Sequence, residues 1–197
     1  MRESVQRSTR RPGLAPDATL CGDVTIGPGV RILHGARLIG EAGGAIRIGR
    51  DGIIMENAVI RASAKHPCTI GDHCLIGPSA HITGATLEDE VFVATGAAIF
   101  HGAVLGRGSE VRVHATVHLR TRLEPGAMVP IGWVAVGDPA RILPPDRHDE
   151  IWEIQKPLNF SQWVYGFDRS TPDLMRRVTR RLSEALGAHA SDTVIDG

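Results

Sequence analysis

Ile70-Gly71-Asp72-His73-Cys74-Leu75-Ile76-Gly77-Pro78-Ser79-Ala80-His81-Ile82 carries an aliphatic residue at every sixth position. Working outward, the series runs back through Ile60, Ile54, Ile48, Leu38, Ile32 and Ile26 to Leu20. Forward it runs through Leu87, Val93, Ile99, Leu105 and Val111 to Val117, and most steps are six residues. None of these positions is polar. A helix repeats its apolar face every 3.6 residues and a strand every two. A period of six fits neither, but it fits a parallel β-helix, in which each short flat strand is one side of a coil.

Three six-residue sides make a triangular coil of about eighteen residues. The leading Ile, Leu or Val of each side points inward and stacks on its equivalents above and below. Glycine follows several of them, as at Ile26-Gly27, Ile48-Gly49 and Leu105-Gly106, where bulk at a corner would hurt. The period breaks three times. Four residues are added between Leu38 and Ile48, four between Ile60 and Ile70, and one is missing between Ile82 and Leu87. Counted in threes, all three breaks fall after the same side of the prism, one coil apart. Insertions stacked on one face usually build a binding surface, so this corner is the expected site.

Bulk composition narrows the partners. Lysine and arginine number 22 and so do aspartate and glutamate, which points away from nucleic acid and anionic membranes. Cys21, Cys68 and Cys74 follow no zinc or redox spacing and suit a reducing cytoplasm, each read as an apolar filler. No apolar run approaches the length of a membrane span, and the opening residues lack the apolar centre of a secretory signal.

Three segments follow. Residues 1–18, Arg-rich and broken by proline, read as an arm over the first coil; residues 19–143 form the β-helix; residues 144–197 form a helical appendage. Within the appendage one helix is expected from Asp146 to Lys156, with Ile151, Trp152 and Ile154 on its apolar side and Pro157 as its stop. A second is expected from Thr171 as N-cap, with Pro172 in its first turn and a stripe of Leu174, Val178, Leu182 and Leu186.

Ile46-Arg47-Ile48-Gly49, Met55-Glu56-Asn57-Ala58-Val59-Ile60, Ile70-Gly71-Asp72-His73, Ile76-Gly77 and Val136-Gly137-Asp138-Pro139-Ala140-Arg141-Ile142 resemble the γ-class carbonic anhydrase family of hexapeptide-repeat proteins. The resemblance covers most of residues 20–165. It implies an all-β solenoid wound as a left-handed parallel β-helix with C-terminal α-helices, assembled as a homotrimer with sites in the clefts between subunits. Zinc enzymes of the family hold the metal with three histidines, two from one subunit and one from its neighbour. Carried over, those positions fall on Arg61, Pro78 and Thr83. The family's glutamine and aspartate before the first ligand fall on Met55 and Glu56, and its arginine two coils earlier falls near Gly40. A catalytic zinc needs about three protein ligands and one open position. None of the three residues here supplies an imidazole, and a fixed Arg61 cation opposes a divalent metal.

Four functional readings remain open from the sequence. A relocated metal site could use His66, His81 and His101, one of them across the subunit interface, as a metal-dependent lyase or hydrolase. A metal-free cleft lined by Glu56, Arg61, His66 and Thr83 could bind a small anion, with Arg61 as the fork and His66 or Glu56 as acid or base; an Arg61–Glu56 salt bridge gluing the trimer is the plain structural alternative. A CoA-dependent acyltransferase could use His81 or His101 as base. A trimeric scaffold would use none of them.

Overall fold

The computed structural model describes residues 13–187 and 189. They divide into two compact units, one ending at Gln155 and the other beginning at Lys156.

The first unit is the expected β-helix. Its three faces are parallel sheets of seven, eight and six strands. The first face runs from Gly13–Leu14 to Met128–Val129 and the third from Asp23–Ile26 to Arg122–Leu123. The second face runs from Thr19–Cys21 to Val134–Val136 and ends in an antiparallel strand, Arg141–Leu143. Every residue of the series from Ile26 to Val117 is buried, most of them completely, while Leu20 at the end of the column is half-buried. Each such side chain contributes about 1.5–3 kcal/mol of burial, so a column of aliphatics stands in for an aromatic core.

The breaks in the period leave the register intact. Ile54 pairs with Ile76, Ile76 with Val93, and Val93 with Val111, so successive coils take 22, 17 and 18 residues without losing the stack. All three breaks fall between the second face and the third, as the spacing predicts. The added residues lengthen the strands there. Arg37–Glu41 pairs with Val59–Ser63 over five residues, against two in most other rungs.

The coil begins earlier than the sequence reading, and its six-residue step runs on past Val117. Gly13–Leu14 pairs with Arg31–Ile32, so the coil enters the stretch read as an arm; Leu14 is the sixth residue before Leu20, and residues 1–12 lie outside the described residues. At the other end Leu123, Val129 and Ala135 continue the six-residue step, all buried. Charged neighbours and the small Ala135 hide that continuation in the sequence.

Helix α1 (His148–Gln155) belongs to this first unit and lies on the strand Val134–Val136, with Ile151 buried and Ile154 against Gly137. The last strand ends at Leu143, and the compact unit takes in α1 up to Gln155.

The second unit opens with a short 3-10 turn, Lys156–Leu158, and a π-helical turn, Ser161–Tyr165, that closes on Gly166. Helix α2 spans Leu174–Leu186. It starts two residues later than expected, with Asp173 in place of Thr171 as N-cap, because Asp173 takes a left-handed conformation at φ 55°, which interrupts the helical run after Pro172. Arg181 donates from α2 to the Tyr165 carbonyl at 3.0 Å and lies over Phe167. Val178 is buried, whereas Leu182 and Leu186 are exposed. Trp133 in the last coil, Trp152 on α1 and Trp163 in the π turn place all three tryptophans at the C-terminal end.

Candidate functional site

The irregular corner collects most of the predicted site residues. The two four-residue insertions stack on one another: a methyl group added to Gly44 would strike the backbone of Ala62 and Ser63 at 2.5 Å. The second insertion closes as a tight loop, with Ser63 and His66 exchanging backbone hydrogen bonds at 3.0 and 2.9 Å. His66 then rests on the shortened step of the next coil. A Cβ on Gly84 would lie 2.5 Å from that of His66, and Gly84 takes φ +54°. The missing residue after Ile82 thus makes the seat for the loop added after Ile60.

Two groups of side chains result. In the first, Arg61 stands in register with Thr83 on the second face. Thr83 Oγ1 is hydrogen-bonded to His81 Nε2 at 2.8 Å. Arg61 forms an ion pair with Glu41, a residue of the first insertion, with side chains 34% and 26% exposed. Within one chain Arg61 does not pair with Glu56. Glu56 lies in the turn at the other end of that side, where its carbonyl accepts from Ser79. An extended strand separates the two within one chain. Glu41 was missed by the sequence reading, although its place in the neighbouring insertion of the same corner was a usable signal.

In the second group, the His66 and His101 rings meet edge to face, centroids 5.1 Å apart and planes at 70°. One coil further His118 follows Val117 in the column of Arg61, Thr83 and Phe100, with its ring 6.2 Å from Phe100.

All four imidazoles are held toward the neutral form. Burial lowers the pKa of His66, His81, His101 and His118. Arg61 adds to the effect at His81, and Lys65 at His66. At His101 burial joined by His66, His81 and Lys65 brings the value down to about 4. A neutral imidazole can accept a proton or bind a metal; a charged one can do neither.

The residues do not fit a zinc at the positions the family uses. Arg61, Thr83 and Pro78 offer no imidazole; Pro78 sits in the turn leading into the second face, its carbonyl accepting from Gly96. Among the described residues of one chain, no three His, Cys, Asp or Glu side chains gather as a metal site. His66, His81 and His101 are therefore not a triad within a chain. Cys68 and Cys74 are buried fillers of the core column, as expected, and burial pushes the Cys68 thiol up to about 12.

No family model matches the chain. Gamma carbonic anhydrase 1, mitochondrial, of Arabidopsis thaliana is 35% identical over 155 residues, covering 75% of this chain and 54% of the relative. Gamma carbonic anhydrase 2, mitochondrial, of the same plant is 33% identical over 144 residues, covering 70% and 49%. The chain thus spans about half the length of the curated relatives it matches. Among solved structures, LpxA, a UDP-N-acetylglucosamine acyltransferase from Bacteroides fragilis 9343, matches with a TM-score of 0.59 at 15% identity, covering 96% of this chain and 87% of that one. That likeness is one of fold. No described helix is long and apolar enough to cross a membrane. By its repeats, its left-handed parallel β-helix and its curated relatives, the chain belongs to the γ-class carbonic anhydrase-like family of hexapeptide-repeat proteins.

Proposed function

We propose that this chain is a divergent γ-carbonic-anhydrase-like homotrimer that binds a small anion in the cleft between subunits, instead of hydrating CO2 on a zinc held at the family positions. The observation that carries this reading is the register pair Arg61–Thr83. Two positions that the resemblance assigns to zinc ligands hold a guanidinium and a hydroxyl side by side. Glu41 holds the guanidinium, whose five N–H groups exceed what one carboxylate engages. A carboxylate, bicarbonate or phosphate fits the remaining edge as a fork, with the Thr83–His81 pair as a second hydrogen-bonding group. The absence of any zinc or redox spacing among the three cysteines suits a reducing compartment, read here as the cytoplasm, whereas the plant relatives are named mitochondrial.

Thermal unfolding of the tag-free chain with bicarbonate, acetate, phosphate or CoA tests the reading, since a ligand bound only to the folded state raises its stability. A small anion is expected to raise the midpoint, and Arg61→Ala to remove the rise. CO2 hydration is expected at the buffer rate. Stabilisation by CoA alone would turn the reading toward acyl transfer, and chelator-sensitive hydration would restore a zinc enzyme.

A further inference from the structure

We infer that Glu41 makes the Arg61 site selective for oxyanions that still carry a proton, such as hydrogenphosphate or hydrogencarbonate, over fully ionised anions of the same shape. This rests on the anion reading above and adds to it the residue that chooses among anions.

The placement comes from the first insertion. Its added residues carry the strand Arg37–Glu41 far enough to pair with Val59–Ser63 over five positions, Ile39 opposite Arg61 and Glu41 opposite Ser63. Alternate residues of a strand share a face. Arg61, Ser63, Glu41 and, one rung on, Thr83 therefore stand together on the outer side of one corner. Glu41 Oε1 is fully covered by protein and faces the Arg61 guanidinium, while both side chains keep part of their surface open. A ligand that docks on the open edge of Arg61 is thereby laid against a carboxylate.

That carboxylate reads the ligand's proton. An ionised carboxylate only accepts hydrogen bonds, and it has more lone pairs than one guanidinium engages. An oxyanion with an O–H donates it to Glu41 and turns its ionised oxygens to Arg61, and both bonds are charge-assisted. Sulfate and nitrate have no proton to give. Their oxygens meet Glu41 as like charge, in a half-buried place where water screens less. The groups around the pair do not offset this. Thr83 and His81 are bonded to each other, with His81 held neutral by burial and by Arg61. Lys65 is exposed on the neighbouring loop, where solvent and salt screen it. The Ser63 hydroxyl, opposite Glu41, can donate or accept and so favours neither kind of anion.

The test is isothermal titration of the tag-free full chain at neutral pH and constant ionic strength with two matched pairs. Phosphate is set against sulfate, both tetrahedral, and hydrogencarbonate against nitrate, both planar. Binding is measured directly because phosphate and sulfate also stabilise folded proteins by exclusion from their surface. The protonated member of each pair is expected to bind about 10–100-fold more tightly, the scale of one hydrogen bond to a charged group. Glu41→Gln, whose amide donates as well as accepts, should bring each pair within a few-fold, chiefly by gaining sulfate and nitrate. Arg61→Ala should lose every one of these anions. Sulfate and nitrate binding as tightly as their partners in the parent, or a preference that persists in Glu41→Gln, overturns the inference and leaves Glu41 a structural partner of Arg61. The anion reading survives that result, because the anions still bind and Arg61→Ala still loses them. No binding of any of them to the parent overturns both. If Glu41→Gln does not fold by circular dichroism, the parent's own preference, measured without a substitution, decides.

Discussion

Gly84 takes a left-handed φ of +54° under the backbone and Cβ of His66, with 2.5 Å to where its own Cβ would be. Gly84→Ala is expected to destabilise the chain by about 1–3 kcal/mol, from backbone strain and from displacing the loop; urea unfolding measures it. The Arg61–Glu41 pair is intermediate between surface and core. A double-mutant cycle with Arg61→Ala and Glu41→Ala should give a coupling of about 1–2 kcal/mol, above the usual exposed pair and below a fully buried one. His118 adds a pH dependence. Burial lowers its pKa, and its Nδ1 is covered without a hydrogen bond among the described residues. Between its unfolded value near 6.5 and its lower folded one, the unfolded state binds the extra proton. Its contribution is therefore complete above about pH 6.5 and is lost as the pH falls from there. Urea midpoints against pH should fall less steeply on the acid side in His118→Gln than in the parent.

One rung of the coil is the next scale. Ile82 is buried between Ile60 and Ile99 in the register of the second face, so Ile82→Ala should cost about 2–5 kcal/mol by the same urea measurement. Rungs are also where the sequence was most legible. Ile, Leu or Val every sixth residue can serve no other architecture, and the three breaks locate the irregular corner by counting alone. Partners across that corner were not legible in the same way. Arg61 and Glu56 lie near each other in sequence, yet Glu41 makes the pair, because stacked insertions bring together residues twenty positions apart that no period relates. The start of α2 was lost to a single backbone angle at Asp173, which propensity does not encode. The His66–His101 contact depended on the Gly84 seat, which shows only once the short step and the long step are placed on adjacent coils.

At the scale of the molecule, the described residues up to Gln155 make a unit with its own core, and those from Lys156 make a second unit. A chain ending at Gln155 is expected to keep the β-sheet circular dichroism spectrum and a cooperative melt, and loss of that melt would show that the coil depends on the second unit. Sedimentation of the full chain tests the homotrimer. In a solenoid each coil touches only its neighbours, so unfolding need not be a single event along its length. Trp133, Trp152 and Trp163 all sit at the C-terminal end, and no tryptophan lies in the coils before residue 133. Intrinsic fluorescence is therefore a lamp for the last coil, α1 and the second unit, and it will stay dark to fraying that begins at Gly13.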